Sequence, residues 1–271
     1  MSIQPKVDQT QPSVARVYDY MLGGKDNYAV DREVGDFFFK DLPGSVSIVY
    51  SNRQALVRAV DEMARSGIDQ FLDMGSGLPT ADNVHQVAQR VNPDARVVYV
   101  DNDPIVLAHG RALLATLDTT AVIQADLVEP ESIHHNAEVE RLIDFSRPVG
   151  VIFSAILHHL NDDEKPADLV RYWADLAQPG SPFYISHFRT GRNPETKAAE
   201  DKLQATFGRG RWRTDEEIAG LFGDLDLVAP GVVPAALWHQ ESQSDVTRIG
   251  SNVQELTVWE ELIGAALARK P

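Results

Sequence analysis

The sequence predicts an α/β fold, a doubly wound and mostly parallel sheet, and three features predict it. From residue 70 onward strand-like and helix-like stretches alternate. The first strand runs into an Asp-x-Gly-x-Gly turn at Asp73, Gly75 and Gly77. Acidic residues, Asp73, Asp101 and Asp126, stand at the carboxyl ends of three successive strand candidates. In doubly wound sheets that edge is where ligands bind.

The N-terminal third reads as helical. Residues 1–12 are polar, hold two prolines and are expected to be flexible. Ser13 is placed to cap a short helix with Val14, Val17, Tyr18 and Met21 on one face, ended by Gly23 and Gly24. A second helix follows with Val30, Val34, Phe37 and Phe38 as its stripe, stopped at Pro43 and Gly44. A third is expected over Gln54 to Ser66, with Leu56, Val57, Val60 and Ala64 inward. Residues 13–66 thus form a helical cap ahead of an α/β core at 67–271.

Strands are predicted at Gln70 to Met74, Arg96 to Val100, Ala121 to Gln124, Val149 to Ser154 and Pro182 to Ser186. Helical stripes lie between them, such as Val84, Val87, Ala88 and Val91, or Leu169, Val170, Trp173 and Leu176. Valine- and isoleucine-rich strands alternating with helices belong to a parallel sheet covered on both faces. Residues 188–213 interrupt the alternation, with Ala199, Leu203 and Phe207 as an inward helical face. Thr214 and Glu217 form a capping-box pair ahead of Ile218, Leu221 and Phe222. Leu225 to Val233 and Leu262 to Ala268 read as two late strands. Neither an internal repeat nor a low-complexity tract appears, so a single domain over 1–271 is the economical organisation.

Composition narrows the function. A net charge of −15 repels phosphate backbones and anionic lipid, which argues against nucleic-acid and membrane partners. The absence of cysteine removes disulfides, thiolate nucleophiles, Cys-ligated metal or iron–sulfur sites and covalent cysteine adducts. The first residues lack an apolar core and a cationic start, and the longest apolar stretch, Val149 to Leu157, has the length of a buried strand, so a cytoplasmic location is expected.

The glycine turn carries the chemistry. Gly75 and Gly77, with Ser76 between them, let the backbone bend sharply and approach a ligand closely. A dinucleotide fingerprint wants a third glycine where Pro79 stands, and proline supplies no N–H to an anion. Asp73, just before the glycines, repels a pyrophosphate and attracts ammonium and sulfonium charges. The turn therefore points to S-adenosylmethionine, with S-adenosylhomocysteine as product, rather than to NAD. Asp101, 24 residues past Gly77, is placed to accept from ribose hydroxyls. Asn102 and Asp103 either share that task or start the next helix, and Asp103 before Pro104 has the form of a cap. Asp126, followed by Leu127, is placed to accept from an adenine amine.

These motifs resemble those of class I S-adenosylmethionine-dependent methyltransferases. The strings PSVARVYDYMLGGKDNY, QFLDMGSGLPT and VVYVDNDPIVLAHGRALL resemble more narrowly a bacterial family of S-adenosyl methyltransferases once catalogued as a domain of unknown function. The resemblance covers nearly the whole chain; Pro79 is its main departure. It implies a Rossmann-like sheet of seven strands with the last antiparallel. It also implies an N-terminal lid over the cofactor, for which Arg16, Tyr20, Lys25, Asn27, Tyr28 and Arg53 are the polar and aromatic candidates. A guanidinium or ammonium there pairs with the methionine carboxylate, and a ring covers adenine or the sulfonium; otherwise these residues are a solvated helical face with core aromatics.

After the fourth strand come Ser154 at its tip, near the transferable methyl, and then His158 and His159. His187 closes the fifth strand. Each histidine is either a base for a substrate hydroxyl or amine or a satisfied structural residue. A metal site is not expected: adjacent histidines cannot both face one ion from a helix. His85, His109, His134, His135 and His239 read as surface or packing residues. Arg209, Arg211 and Arg213 make a basic island, either an anion-recognition patch or a loop answering nearby carboxylates. The residues point to methylation of a small molecule at O or N. A catalytically inert cofactor-binding regulator and an NAD-dependent oxidoreductase are the alternatives, and the oligomeric state is not legible.

Overall fold

The computed structural model describes residues 7–80, 82–114, 117–190, 194–239 and 256–271. Residues 1–6 of the expected flexible start, and 191–193 within the interruption, lie outside the described residues. In chain order the elements are α1 (Val14–Met21), α2 (Ala29–Asp41), α3 (Ser47–Arg65), β1 (Gln70–Met74), α4 (Val84–Val91), β2 (Arg96–Asp101), α5 (Pro104–Leu114) and β3 (Thr120–Gln124). Next come α6 (Pro130–His134), α7 (Ala137–Leu142), β4 (Gly150–Ser154), α8 (Pro166–Leu176), β5 (Pro182–Phe188), α9 (Pro194–Phe207) and α10 (Asp215–Gly220). The chain closes with β6 (Asp226–Leu227), β7 (Val233–Pro234), α11 (Val258–Leu262) and β8 (Ile263–Arg269).

The sheet runs β3-β2-β1-β4-β5-β8-β6, with β7 also paired to β8. Strands β1 to β5 are parallel, and β8 is antiparallel to β5, β6 and β7. The order reverses between β1 and β4, which is the crevice position of a doubly wound sheet. Among the described residues the sheet has eight strands, one more than the resemblance implies. The stretch read as one strand, Leu225 to Val233, is two two-residue strands along the same edge of β8. Pro230 lacks the N–H a ladder needs and Gly231 turns at φ +80°, so pairing breaks between them.

Period-two alternation then decides which side chains meet. On β1, Leu72 and Met74 pack into the layer that holds Trp173, whereas Phe71 packs into the layer built on α3. Asp73 shares Phe71's parity. Asp101 follows Tyr99 in the same way, Ser154 follows Ile152, and Ser186 follows Tyr184. All four polar residues therefore emerge at the carboxyl ends of their strands, on the face that the N-terminal helices cover.

That cap is tied down by side chains. Ser13 precedes α1 without a side-chain cap bond; its N–H donates instead to Asp31 Oδ1 at 2.9 Å. Arg16, 4% exposed, donates to the carbonyls of Asp8 and Gln11 and pairs with Asp31 and Asp103. The chain at 8–11, expected to be flexible, is thus held by a buried guanidinium. α3 starts at Ser47, seven residues earlier than the sequence predicts, and buries Ile48, Val49 and Asn52 in its first two turns. Among the described residues no helix is long and apolar enough to cross a membrane.

Candidate functional site

A cavity of about 650 Å³ opens over the strand ends at the β1–β4 reversal, roofed by α1, the start of α3 and the segment before α1. Its lining brings together Arg16, Arg53, Asp73, Gly75, Ser76, Gly77, Asp101, Asn102, Asp126, Leu127, Ser154 and His159 from the residues singled out in the sequence.

At the β1 end the turn folds back on β2, with Gly75 and Ser76 N–H groups donating to the Val100 carbonyl at 2.8 and 3.1 Å. Gly75 sits at φ +71°, and a Cβ there would strike the Ile156 side chain, so this glycine is required by conformation and by space. Asp73 is 4% exposed, and no described residue donates a hydrogen bond to its carboxylate. Burial pushes its pKa up to about 7; the Arg53 guanidinium opposes the shift and the Asp101 charge adds to it. Asp101 accepts from Gly77 N–H at 2.8 Å and from Asp103 N–H at 2.9 Å. Burial lifts it to about 6 against those donors. Asp103 caps α5 through the Ile105 N–H at 2.9 Å and faces Arg16. Asp126 accepts from Val128 N–H at 3.2 Å beside the buried Leu127.

The lid candidates separate. Arg16 reaches the cavity, but its charge is held between Asp31 and Asp103. Arg53 donates to the Asp82 carbonyl at 2.7 Å and lines the cavity beside Asp73. Tyr20 is turned away, its hydroxyl on Asp36 at 2.8 Å and its ring edge-on to Phe39. Tyr28 carries the Arg16 guanidinium 5.3 Å above its ring. Asn27 holds Asp19 and the Gly24 carbonyl, and Lys25 is exposed. None of these last four lines the cavity.

At the β4 end sequence reasoning misses the main polar network. Asn52 of α3 donates to Tyr18 Oη at 3.1 Å and to Ser154 Oγ at 3.3 Å, and accepts from Ser186 Oγ at 2.6 Å. Tyr18 donates to the Val49 carbonyl at 3.1 Å. Ala155 follows at φ +52°, a left-handed conformation uncommon for alanine, and its N–H donates to Ser186 Oγ at 2.9 Å. The sequence marks Tyr18 only as part of an apolar face, and Asn52 lies in a helical turn ahead of the predicted start at Gln54.

The three histidines occupy different places. His187 is fully buried; its Nδ1 faces the Phe188 carbonyl at 2.7 Å and its Nε2 faces Arg213 at 2.9 Å. Burial depresses it to about 3. His158 is 3% exposed and accepts the Phe188 N–H on Nδ1, with burial holding its pKa well below the ordinary range. Both are engaged by β5 rather than by the cavity. His159 alone of the three lines the cavity, depressed to about 4 by burial and then by the Arg209 charge. Among the described residues no cluster of three or more metal-ligating side chains occurs.

The arrangement offers buried carboxylates over β1 and β2, another over β3, and an imidazole with apolar walls from Ile156, Leu160 and Phe207 beyond β4. It suits an elongated cationic ligand along the first part and a second molecule at the far end.

The chain matches the family model described as S-adenosyl methyltransferase over residues 1–271. It is similar to the crystal structure of a candidate methyltransferase from Thermobifida fusca, at 44% identity and TM-score 0.90, covering 98% of this chain and 97% of that one. A DUF574 family protein from Streptomyces avermitilis is 35% identical with TM-score 0.90, covering 98% and 100%. The N-methyltransferase NodS from Bradyrhizobium japonicum in complex with S-adenosyl-L-homocysteine shares the fold, at 11% identity and TM-score 0.50, covering 94% and 99%. Among curated proteins none matches the chain.

Proposed function

We propose that this chain, which belongs to the S-adenosyl methyltransferase family and is an S-adenosylmethionine-dependent enzyme, transfers the methyl to oxygen or nitrogen of a small molecule held beyond β4. The observation that carries the reading is Asp73, a buried carboxyl at the sheet's reversal to which no described residue donates. An ammonium at that point supplies both the donor and the countercharge that burial withholds.

In this reading Asp73 holds the methionine ammonium, Arg53 its carboxylate, Asp101 the ribose hydroxyls, and Asp126 with Leu127 the adenine. When bound, S-adenosylmethionine supplies an activated methyl on a sulfonium. The protein's part is to place the acceptor in line with it and to exclude water. Ser154 and Ala155 stand at the strand tip next in order after β1, where that methyl is expected. His159 faces the acceptor; at neutral pH its imidazole is uncharged and has a lone pair for the acceptor's proton. His158 and His187 support the wall behind it. Net charge and the carboxylate-rich lining favour a small acceptor over nucleic acid, and a single functional unit over 1–271 working in the cytoplasm is proposed.

Calorimetric titration with S-adenosylhomocysteine and with NAD in parallel tests the reading. Saturable binding of the first and none of the second is expected. Saturable NAD binding without a response to S-adenosylhomocysteine would overturn it.

A further inference from the structure

The segment that carries His159 is a short 3₁₀ turn, Leu157–His159, leaving the strained Ala155. The chain returning from α9 lies against it and takes its carbonyls one after another. Arg213 Nη1 donates to Leu157 O at 3.4 Å, Arg211 N–H to His158 O at 2.9 Å, Arg209 Nε to His159 O at 3.0 Å, and Arg213 Nη2 to Leu160 O at 3.2 Å. Gly210 N–H adds a bond to Asn161 Oδ1 at 2.9 Å. Gly210 lies at φ +113°, and a Cβ on it would come within 2.8 Å of the His158 carbonyl.

The charges on this loop are matched locally. Arg209 meets Glu164 at 2.7 Å, Arg211 meets Asp162 at 2.6 Å and also Glu217, and the buried Arg213 meets Asp162 at 2.8 Å. The basic island is therefore not poised as an anion receptor. No described residue hydrogen-bonds the ring nitrogens of His159. Its ring is fixed by its own backbone, by His158 at 4.4 Å between centroids, and by the edge of Phe207 at 6.1 Å.

We infer that the return loop 207–213 is a positioning clamp, whose arginines and Gly210 act through the backbone of residues 157–161 to aim the His159 imidazole at the acceptor end of the cavity. The inference rests on the reading of His159 as the acceptor-facing histidine. A side chain without hydrogen bonds of its own has to be aimed by what supports it, and a loose supporting layer is enough to misplace a working group.

The test is NMR of histidine-labelled full-length protein, with the His159 signal assigned from His159→Gln. In the parent, His159 stays neutral from about pH 5 to about pH 8. In Gly210→Ala, which changes no charge, the displaced ring gains water and its titration midpoint rises by roughly one unit or more, into that window. Arg209→Lys keeps the charge but not the geometry; it is expected to move the same signal by less and carries the test if Gly210→Ala does not fold. S-adenosylhomocysteine affinity should change less than about twofold in Gly210→Ala, since the cofactor contacts lie over β1 to β3. An unshifted His159 signal in the folded variants, with only a lowered melting temperature, would overturn the clamp. Loss of S-adenosylhomocysteine binding in the parent would instead defeat the cofactor assignment on which it rests.

Discussion

At the β1–β3 end of the cavity, where the proposed function seats the cofactor, the polar groups come from strand ends and the two or three residues after them: Asp73 to Gly77, Asp101 to Asp103, and Asp126. At the β4 end, where the proposed function seats the acceptor, they come from positions 18, 52, 154, 159 and 209, brought together from α1, α3, β4, the 3₁₀ turn after it and the loop after α9, with the buried Ser186 of β5 behind them. The first end keeps carboxyls buried with too few donors, and their pKa values rise to about 7 and about 6. The second is a closed network in which Tyr18, Asn52 and Ser186 satisfy one another. One end stores electrostatic cost, which the proposed function has a cationic ligand relieve. The other holds its shape without help, which is what a template for an acceptor needs.

That contrast has consequences for stability. Asp73 binds its proton more tightly in the folded chain, up to about pH 7, than an aspartate free in water does. The stability linked to that proton is complete below about pH 4 and is lost as pH rises through about 7. The acidic end should therefore weaken the unliganded fold at neutral pH.

The largest effect is expected where the comparison is least clean. Arg16 is a buried long-range tie at the acidic end, joining the chain at 8–11 and α1 to Asp31 and Asp103. Arg16→Ala leaves two buried carboxylates without their cation and should lower unfolding free energy by about 3–5 kcal/mol in urea titrations. A loss no larger than that of an exposed arginine would show that the cofactor end stands on its strand ends alone. A smaller effect is expected at the other end. Asn52→Ala strips partners from Tyr18, Ser154 and Ser186 and should cost about 1–3 kcal/mol, with no change in the pH dependence of stability. If that variant instead altered the pH profile, the two ends would be coupled and the division drawn here would fail.

The same division explains what could be read from the sequence. Strands β1 to β5 and β8 fall within a residue or two of expectation, because continuous apolar runs bounded by turn residues leave little choice. The residues lining the β1–β3 end are legible because they are contiguous with those strands. Those of the β4 end are not. α3 opens on Ser47-Ile48-Val49-Tyr50-Ser51-Asn52, β-branched and aromatic residues with weak helix preference, and only packing of Ile48 and Val49 makes them helical. Asn52 lies in that unannounced turn, so its reach to Ser154 was hidden with it. His158 and His159 are the same residue type side by side, and only the fold says which faces the cavity. The late edge strand fails for a local reason, Pro230 and Gly231 inside a run otherwise suited to pairing.

The central claim is that a buried carboxyl at position 73 selects the cofactor, and calorimetry of S-adenosylhomocysteine against the parent and Asp73→Asn, at about pH 8 and about pH 6, tests it most directly. The parent should lose roughly tenfold in affinity at the lower pH as the carboxyl takes up its proton. The variant should bind weakly at both, by roughly tenfold or more relative to the parent at the higher pH. A variant that binds as tightly as the parent, with the same pH dependence, would contradict the account.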